Sequence, residues 1–293
     1  MKKIQVIGSI TMDLVTYTSV LPQPGMTVYG DSFLANIGGK GANQACAIKL
    51  LGGDVEFFGS IGDDSNGKTV QNFVKTFQLA ANLKISKCST GIATIIVDNN
   101  TGENRIVIVP GANFDITKGD IDHLNFNDKD ILLLQLENTT ESVIYAMRKA
   151  KEKGLLVVFN PAPYHELPDS AFQYIDYLIP NEHELEQFTP NIHGNYEAKA
   201  KYLLNKGVKN VIVTLGENGS LLVNKQQVMH IEPFKVNAID TTAAGDCYCG
   251  AFVTALSEGK DVIEAMRFAS KASSIAVTRK GAISSLPKRD ELE

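Results

Sequence analysis

Apolar and polar positions along the chain alternate between two kinds of block. Short apolar runs, Lys3–Ser9, Val55–Ile61, 130–136 (Asp130–Leu136), Leu155–Asn160, Tyr177–Ile179 and Lys209–Thr214, have the length and β-branched content of strands buried on both faces. Between them come helical stretches: one from Gly38–Ala45 to about Leu51, one after Gly62, one to Lys153 begun by Asn138 with Glu141, and one opening at Asn181. After residue 243 small and apolar residues recur at helical spacing, at Ala251, Ala255, Ala265, Phe268, Ala272 and Ala276. The last helix starts at Val262 and ends at Thr278–Ala282. Strands that alternate with helices predict an α/β fold with a doubly wound, mostly parallel central sheet. Two regions break the rule. Thr27–Ala35 alternates loosely, and Gly91–Asp98 and Asn104–Val109 flank a turn at Asn99–Gly102, which reads as a hairpin.

Val236–Ile239 is apolar enough to end a strand, and after it comes Asp240-Thr241-Thr242-Ala243-Ala244-Gly245-Asp246. Residues 243–245 have almost no side chain. Their backbone N–H groups, with that of Asp246, are bare at a helix N-terminus, where the dipole favours an anion. A carboxylate beside such an anion hole orients a hydroxyl for attack on a phosphoryl group; alternatively Asp246 merely caps the helix. Far upstream, Gly38-Gly39-Lys40-Gly41-Ala42-Asn43-Gln44-Ala45 opens another helix with glycines that let backbone approach a ligand.

Composition narrows the field. The chain has 293 residues, 44% hydrophobic and 21% charged, with net charge −5 and no Trp. It is long enough for one large α/β domain with a small appendage. The acidic balance and scattered cations argue against nucleic acid, and no apolar run reaches bilayer-spanning length. Cys46, Cys88, Cys247 and Cys249 match neither a disulfide framework nor a zinc site, so they are expected reduced, in a cytoplasmic protein.

The two motifs, in this order and about two hundred residues apart, resemble the N- and C-terminal signatures of the ribokinase-like sugar kinases, and the resemblance covers essentially the whole chain. It implies an ATP-dependent kinase that phosphorylates the primary hydroxyl of ribose, with Asp246 as base and Ala243, Ala244 and Gly245 in the anion hole. Kinases of 2-deoxyribose, fructose or a nucleoside remain alternatives on the same fold. Asp13, Gly38, Gly39, Lys40, Gly41, Asn43 and Glu137 would hold the sugar, with Asp13 taking two neighbouring hydroxyls. Thr11 stands where the family usually carries Asn, which predicts weaker discrimination between ribose and sugars lacking a hydroxyl. Asn181, Thr214, Gly216, Gly219 and Gly245 fall on the nucleotide side. Glu184 would hold Mg2+ through water. Asp240, Thr242, Ala276, Arg279, Gly281 and Ser285 would bind K+. Residues 1–14, 37–90 and 111–293 would form the kinase core. Residues 15–36 and 91–110 would form a β lid that covers the substrate and carries a homodimer contact.

One rival motif is present. Gly62-Asp63-Asp64-Ser65-Asn66-Gly67-Lys68-Thr69 matches the P-loop pattern, after a strand and before a helix. Asp63 and Asp64 would put two negative charges in a phosphate cradle, which argues against it; the family commonly carries a structural turn here. A non-catalytic sugar sensor on the same fold is the other alternative.

Overall fold

A computed structural model describes residues 1–292. Nine strands form one sheet in the order β13-β12-β11-β10-β9-β8-β1-β4-β5. They are β1 (Ile4–Ile7), β4 (Val55–Gly62), β5 (Ala81–Ser86), β8 (Ile131–Leu134), β9 (Leu156–Phe159), β10 (Tyr177–Leu178), β11 (Asn210–Thr214), β12 (Ser220–Asn224) and β13 (Val228–Ile231). Every pairing from β5 to β11 is parallel, and β12 and β13 close the far edge antiparallel. The inner strands are buried on both sides, as their continuous apolar runs require.

Helices cover both faces. On one, α1 (Lys40–Leu50), α2 (Ser65–Phe77), α7 (Ala244–Ser257) and α8 (Val262–Ala276) pack around Ile4, Val6, Phe57, Leu133 and Phe252. On the other, α3 (Lys118–Asp122), α4 (Thr140–Glu152), α5 (Glu182–Phe188) and α6 (Tyr196–Asn205) pack on Ile7, Leu132, Leu134, Phe159 and Val211. The doubly wound, mostly parallel sheet expected from the sequence is therefore present.

A second sheet of four strands, in the order β3-β2-β6-β7, is built from β2 (Thr11–Thr18), β3 (Ser32–Gly38), β6 (Gly91–Asp98) and β7 (Asn104–Val109). Its register sets Thr11 beside Gly38 on one side and Gly91 on the other, so one end of the sheet sits on the core at these three residues. Buried Asn113 fixes that root: its Oδ1 accepts from the Ile10 N–H and its Nδ2 donates to the Ile10 carbonyl, both at 3.0 Å. Phe33, Leu34, Ile106, Val107, Ile108 and Val109 on this sheet are exposed.

Several boundaries differ from the sequence reading. The strand drawn at Thr27–Ala35 lies at Ser32–Gly38, because residues 27–30 have no regular structure before the Asp31 N–H bonds the Tyr17 carbonyl. Val236–Ile239 is not the end of a strand: Val236 and Ile239 are exposed, in a segment that crosses from the edge strand β13 to the inner helix α7, a path no strand of the sheet follows. Helix α4 is capped by Thr139, whose hydroxyl accepts from the Ser142 N–H, and not by Asn138; Asn138 turns its Nδ2 to the Asn113 carbonyl at 2.8 Å. All four cysteines are free thiols, with Cys46, Cys247 and Cys249 buried and Cys88 exposed. No helix among the described residues is long and apolar enough to cross a membrane.

Candidate active site

The predicted site residues gather at the C-terminal ends of the central strands, where open α/β sheets bind ligands. Helix α1 starts hard against the end of β1. A Cβ on Gly41 would lie 2.6 Å from the Gly8 carbonyl carbon, which excludes a side chain there, and one on Gly38 would lie 2.0 Å from Asp13 Oδ2, so a side chain there would displace the Asp13 carboxylate. Gly39 has φ 90°, a left-handed conformation that suits glycine. Helix α1 has no cap from its own side chains; Glu137, arriving from the end of β8, supplies one. Its Oε2 accepts from the Lys40 N–H at 2.8 Å and from the Ser9 hydroxyl.

Asp13 stands on β2, facing this junction. Burial pushes its carboxyl up to about 6, aided by the nearby charges of Glu137 and Asp246 and opposed by the hydrogen bond from Thr11. The Thr11 hydroxyl donates to Asp13 Oδ1 at 2.8 Å, so it is occupied by the carboxylate. Lys40 lies amid the same acids, and Asp246 first, then Glu137 and Glu184, hold its ammonium above the ordinary lysine range against the opposing effect of burial.

Helix α7 begins with Ala243 in the left-handed conformation, φ 57°, and with no side-chain cap. Asp246 does not cap it. It is 4% exposed, and its oxygens accept from Asn43 Nδ2 and Gln44 Nε2, each at 2.9 Å. The Ala244 N–H closes a turn onto the Thr241 carbonyl at 3.2 Å, while a Cβ on Gly245 would have open space around it. The mouth of the helix thus has a polar backbone surface, room, and a carboxylate whose hydrogen bonds come from elsewhere. Asn43 leaves its Oδ1 buried and without a partner, an acceptor free for a donor such as a sugar hydroxyl.

On the far side of the mouth, an isolated parallel bridge joins Asn181 to Thr214, and the Thr214 N–H donates to the Pro180 carbonyl at 3.0 Å. The turn Gly216–Asn218 follows, closed by the Leu215 N–H on the Gly219 carbonyl at 2.8 Å. Asn181 caps α5 in a reciprocal box with Glu184, whose carboxylate accepts from the Asn181 N–H and Nδ2. Burial lifts the Glu184 carboxyl above its ordinary range, opposed by that N–H and by Lys40. A carboxylate offers about four lone-pair directions, so Glu184 keeps some for a hydrated cation.

The proposed K+ residues are drawn together by the Ile239 N–H on the Val277 carbonyl at 2.7 Å and the Gly281 N–H on Asp240 Oδ2 at 2.9 Å. Burial pushes the Asp240 carboxyl up, but the donors Gly281 and Thr242 outweigh it and hold Asp240 below its ordinary range, so it stays anionic. The Ala276 carbonyl takes the Arg279 N–H at 3.1 Å, keeping a second lone pair, and Ser285 is buried with its hydroxyl on the Ala282 carbonyl. The Arg279 guanidinium pairs with Glu291, so only its backbone is available to an ion here. An anionic carboxylate among carbonyls fits a weakly hydrated monovalent cation.

The P-loop look-alike is closed by its own acid. Asp64 caps α2, accepting from the Gly67 N–H at 2.7 Å, and also takes the Thr90 N–H at 2.8 Å and hydroxyl at 2.7 Å. The carboxylate occupies donors that a phosphate would need, and Lys68 is exposed. The sequence reading gave no role to Gln44, Gln135, Asn160, Ser9 or Asn113, each of which builds the site or its root.

A buried carboxylate at the start of helix α7, which no side chain caps, is held by amides from the glycine-opened helix α1 and fits a phosphotransferase class. The profile of the pfkB family carbohydrate kinases matches residues 1–289, and the chain belongs to that family. It is an ATP-dependent phosphotransferase. Among characterised relatives, the chain is 40% identical to the ribokinase of Haemophilus influenzae over 297 residues, covering 99% of this chain and 97% of the relative. It is 36% identical to the deoxyribokinase of Salmonella typhimurium over 296 residues, covering 98% and 96% respectively. The crystal structure of ribokinase from Thermotoga maritima superposes with TM-score 0.92 at 40% identity, covering 100% of this chain and 98% of that one.

Proposed function

We propose that this kinase transfers the γ-phosphate of ATP to the primary hydroxyl of ribose. The observation that carries the reading is Asp246: a buried carboxylate, held by two neutral amides and not spent on capping, at the uncapped start of α7. The hydroxyl oxygen attacks the γ-phosphorus as its proton passes to Asp246, and the bond to the β-phosphate oxygen breaks to release ADP. Backbone N–H groups at the start of α7, those of Ala243, Gly245 and Asp246, receive the negative charge that builds on the transferred group, while the Ala244 N–H is turned onto the Thr241 carbonyl. Lys40 adds a full positive charge near the same carboxylate.

Asp13, Asn43 Oδ1, Glu137 and the backbone of 38–41 face the sugar, and Asn181, Thr214, Gly216 and Gly219 face the nucleotide. Glu184 would hold Mg2+ through water, and the ion would supply charge neutralisation between the phosphates. Asp240, Thr242 and the carbonyls of Ala276, Arg279 and Gly281, with Ser285, would hold K+ behind the anion site. The small sheet, as a lid formed by 15–36 and 91–110, would cover the sugar, and its exposed Phe33, Leu34 and Val107 support a homodimer through that face. Four free thiols support a cytoplasmic setting.

Asp246→Asn tests the reading. The variant should bind sugar and ATP normally and lose kcat by about 10²–10⁴-fold, the range for a general base. Turnover within a few-fold of wild type would remove Asp246 from the chemistry.

A second substrate, 2-deoxyribose, is favoured by Thr11. Its one short hydroxyl is committed to Asp13, so a sugar lacking a hydroxyl there strands no buried amide. Comparing kcat/KM for both sugars in wild type and Thr11→Asn decides it, and an unchanged ratio refutes the role of Thr11.

A further inference from the structure

The two amides on Asp246 are not equivalent. Asn43 faces the cleft, but Gln44 is fully buried and belongs to a chain of amides behind the site. Gln44 Nε2 donates to Asp246 Oδ1 at 2.9 Å and to Asn160 Oδ1 at 3.2 Å, and Gln44 Oε1 accepts from Gln135 Nε2 at 2.6 Å. Asn160 Nδ2 donates to the Ile179 carbonyl at 2.9 Å.

The direction of this chain follows from its ends. A backbone carbonyl only accepts, so the nitrogen of Asn160 must face Ile179 and its oxygen must face Gln44. That oxygen needs a donor, so Gln44 presents its nitrogen, whose second N–H is aimed at Asp246. Gln135 then meets the remaining oxygen of Gln44. Flipping Gln44 or Asn160 breaks at least two bonds in a buried setting, where an unmade bond costs most, whereas Gln135 makes one bond here and leaves its Oε1 buried without a partner.

The frame is also short of slack. Helices α1 and α7 touch at Gly250, where a Cβ would lie 2.7 Å from Ala47 Cβ and 2.9 Å from the Gln44 carbonyl oxygen. Gln135 follows β8, Asn160 follows β9 and Ile179 follows β10, so three adjacent strand ends brace one side chain.

We infer that Gln44, oriented by Gln135 and Asn160, is a positioning residue that holds the Asp246 carboxylate in its attacking-proton geometry and acts on turnover rather than on binding. This rests on the reading of Asp246 as base. The amides carry no charge, so they fix the carboxylate's rotation without neutralising it as a bonded cation would.

The experiment compares Gln44→Met, Gln135→Leu, Gln44→Glu and Asp246→Asn in the full chain, with steady-state kinetics for sugar and ATP. Gln44→Met keeps volume and removes the donor; kcat should fall about 10- to 100-fold with both KM values within about threefold of wild type. Gln135→Leu touches neither Asp246 nor substrate and should lower kcat several-fold with the same split.

Gln44→Glu places a titratable group at the same 2.9 Å. Protonated, it donates to Asp246; ionised, it repels it. Its rate relative to wild type should therefore fall as pH rises from about 5 to about 8. Lys40 of α1, Glu137, Glu184 of α5, Asp13 of β2 and Cys249 of α7, a thiol that burial keeps neutral, face the same cluster in both proteins and cancel in the ratio.

Unchanged kcat in Gln44→Met, or a raised KM with kcat intact, overturns the inference even where Asp246→Asn is inactive. If Gln44→Met does not fold, the kcat of Gln135→Leu and the pH dependence of the Gln44→Glu ratio decide by the same criteria. An active Asp246→Asn removes the base reading itself, and the inference with it.

Discussion

Replacing Asp13 by Asn should make the empty protein more stable and the enzyme worse. In the folded state burial lifts the Asp13 carboxyl to about 6, against an ordinary value of about 4. A folded-state value above the unfolded one means that the protonated form is favoured by folding. The stabilisation is complete below about pH 4 and is lost as pH rises through about 6. At neutral pH the ionised Asp13 is therefore a cost, and the gap between about 6 and about 4 corresponds to about 3 kcal/mol. Asp13 retains some contact with solvent, so this is an upper figure. Asp13→Asn keeps the shape and removes the charge. Urea unfolding at pH 7.5 should find the variant more stable by about 1–3 kcal/mol, with the gap closing toward pH 4.

Sugar binding should move the opposite way. A carboxylate that accepts from two hydroxyls loses about 1.5–3 kcal/mol per charge-assisted bond when it becomes an amide. In wild type the sugar KM should rise as pH falls through about 6, because protonated Asp13 no longer accepts as a pair. Thr11→Val removes the donor that holds the carboxyl down, so the rise should begin at higher pH. The reasoning fails if Asp13→Asn is no more stable than wild type at pH 7.5, or if its advantage is the same at pH 4.

Lys68→Ala should leave the KM for ATP within about twofold, whereas Asp64→Ala should cost about 1–3 kcal/mol in denaturant unfolding by orphaning the donors of Gly67 and Thr90. Weakened ATP affinity in Lys68→Ala would revive the P-loop reading. Gly245→Ala should raise stability by about 0.5–1 kcal/mol, since the methyl meets nothing and the site lies in a helix, yet lower kcat/KM for ATP by about 10²-fold where phosphate must approach. Equal kinetics would place the phosphate elsewhere. Turnover in K+ should exceed that in Na+, measured after thorough exchange of counter-ions, and equal rates would remove the cation site at Asp240 and Gly281.

What was legible in the sequence was local. The glycines of 38–41 and the small residues of 243–245 announce their roles because backbone exposure is a property of the segment itself. The alternation of buried strands and helices is likewise written in runs of a few residues. What escaped depends on partners distant in sequence. Gln44 meets Asp246 across 202 residues and Gln135 across 91, and a glutamine in a helix carries no sign of either. Asp64 looked like a misplaced charge in a phosphate loop until Thr90 took up its oxygens. The cap of α4 slipped by one residue because Asn138 and Thr139 are both good caps, and only the tertiary acceptor at Asn113 separates them. Val236 and Ile239 read as strand because hydropathy does not say which way a side chain faces.

The distribution of thiols makes the protein a convenient instrument. Burial pushes the Cys46 thiol up to about 12 and raises Cys247 and Cys249 as well, so these three stay protonated and shielded from electrophiles. Among the described residues Cys88 is the one exposed thiol. It sits between β5 of the large sheet and β6 of the small one, three residues before the Gly91 end of the latter. A maleimide dye should therefore attach at one place in the wild-type chain, beside the root of the small sheet, and report on its movement without any engineered cysteine.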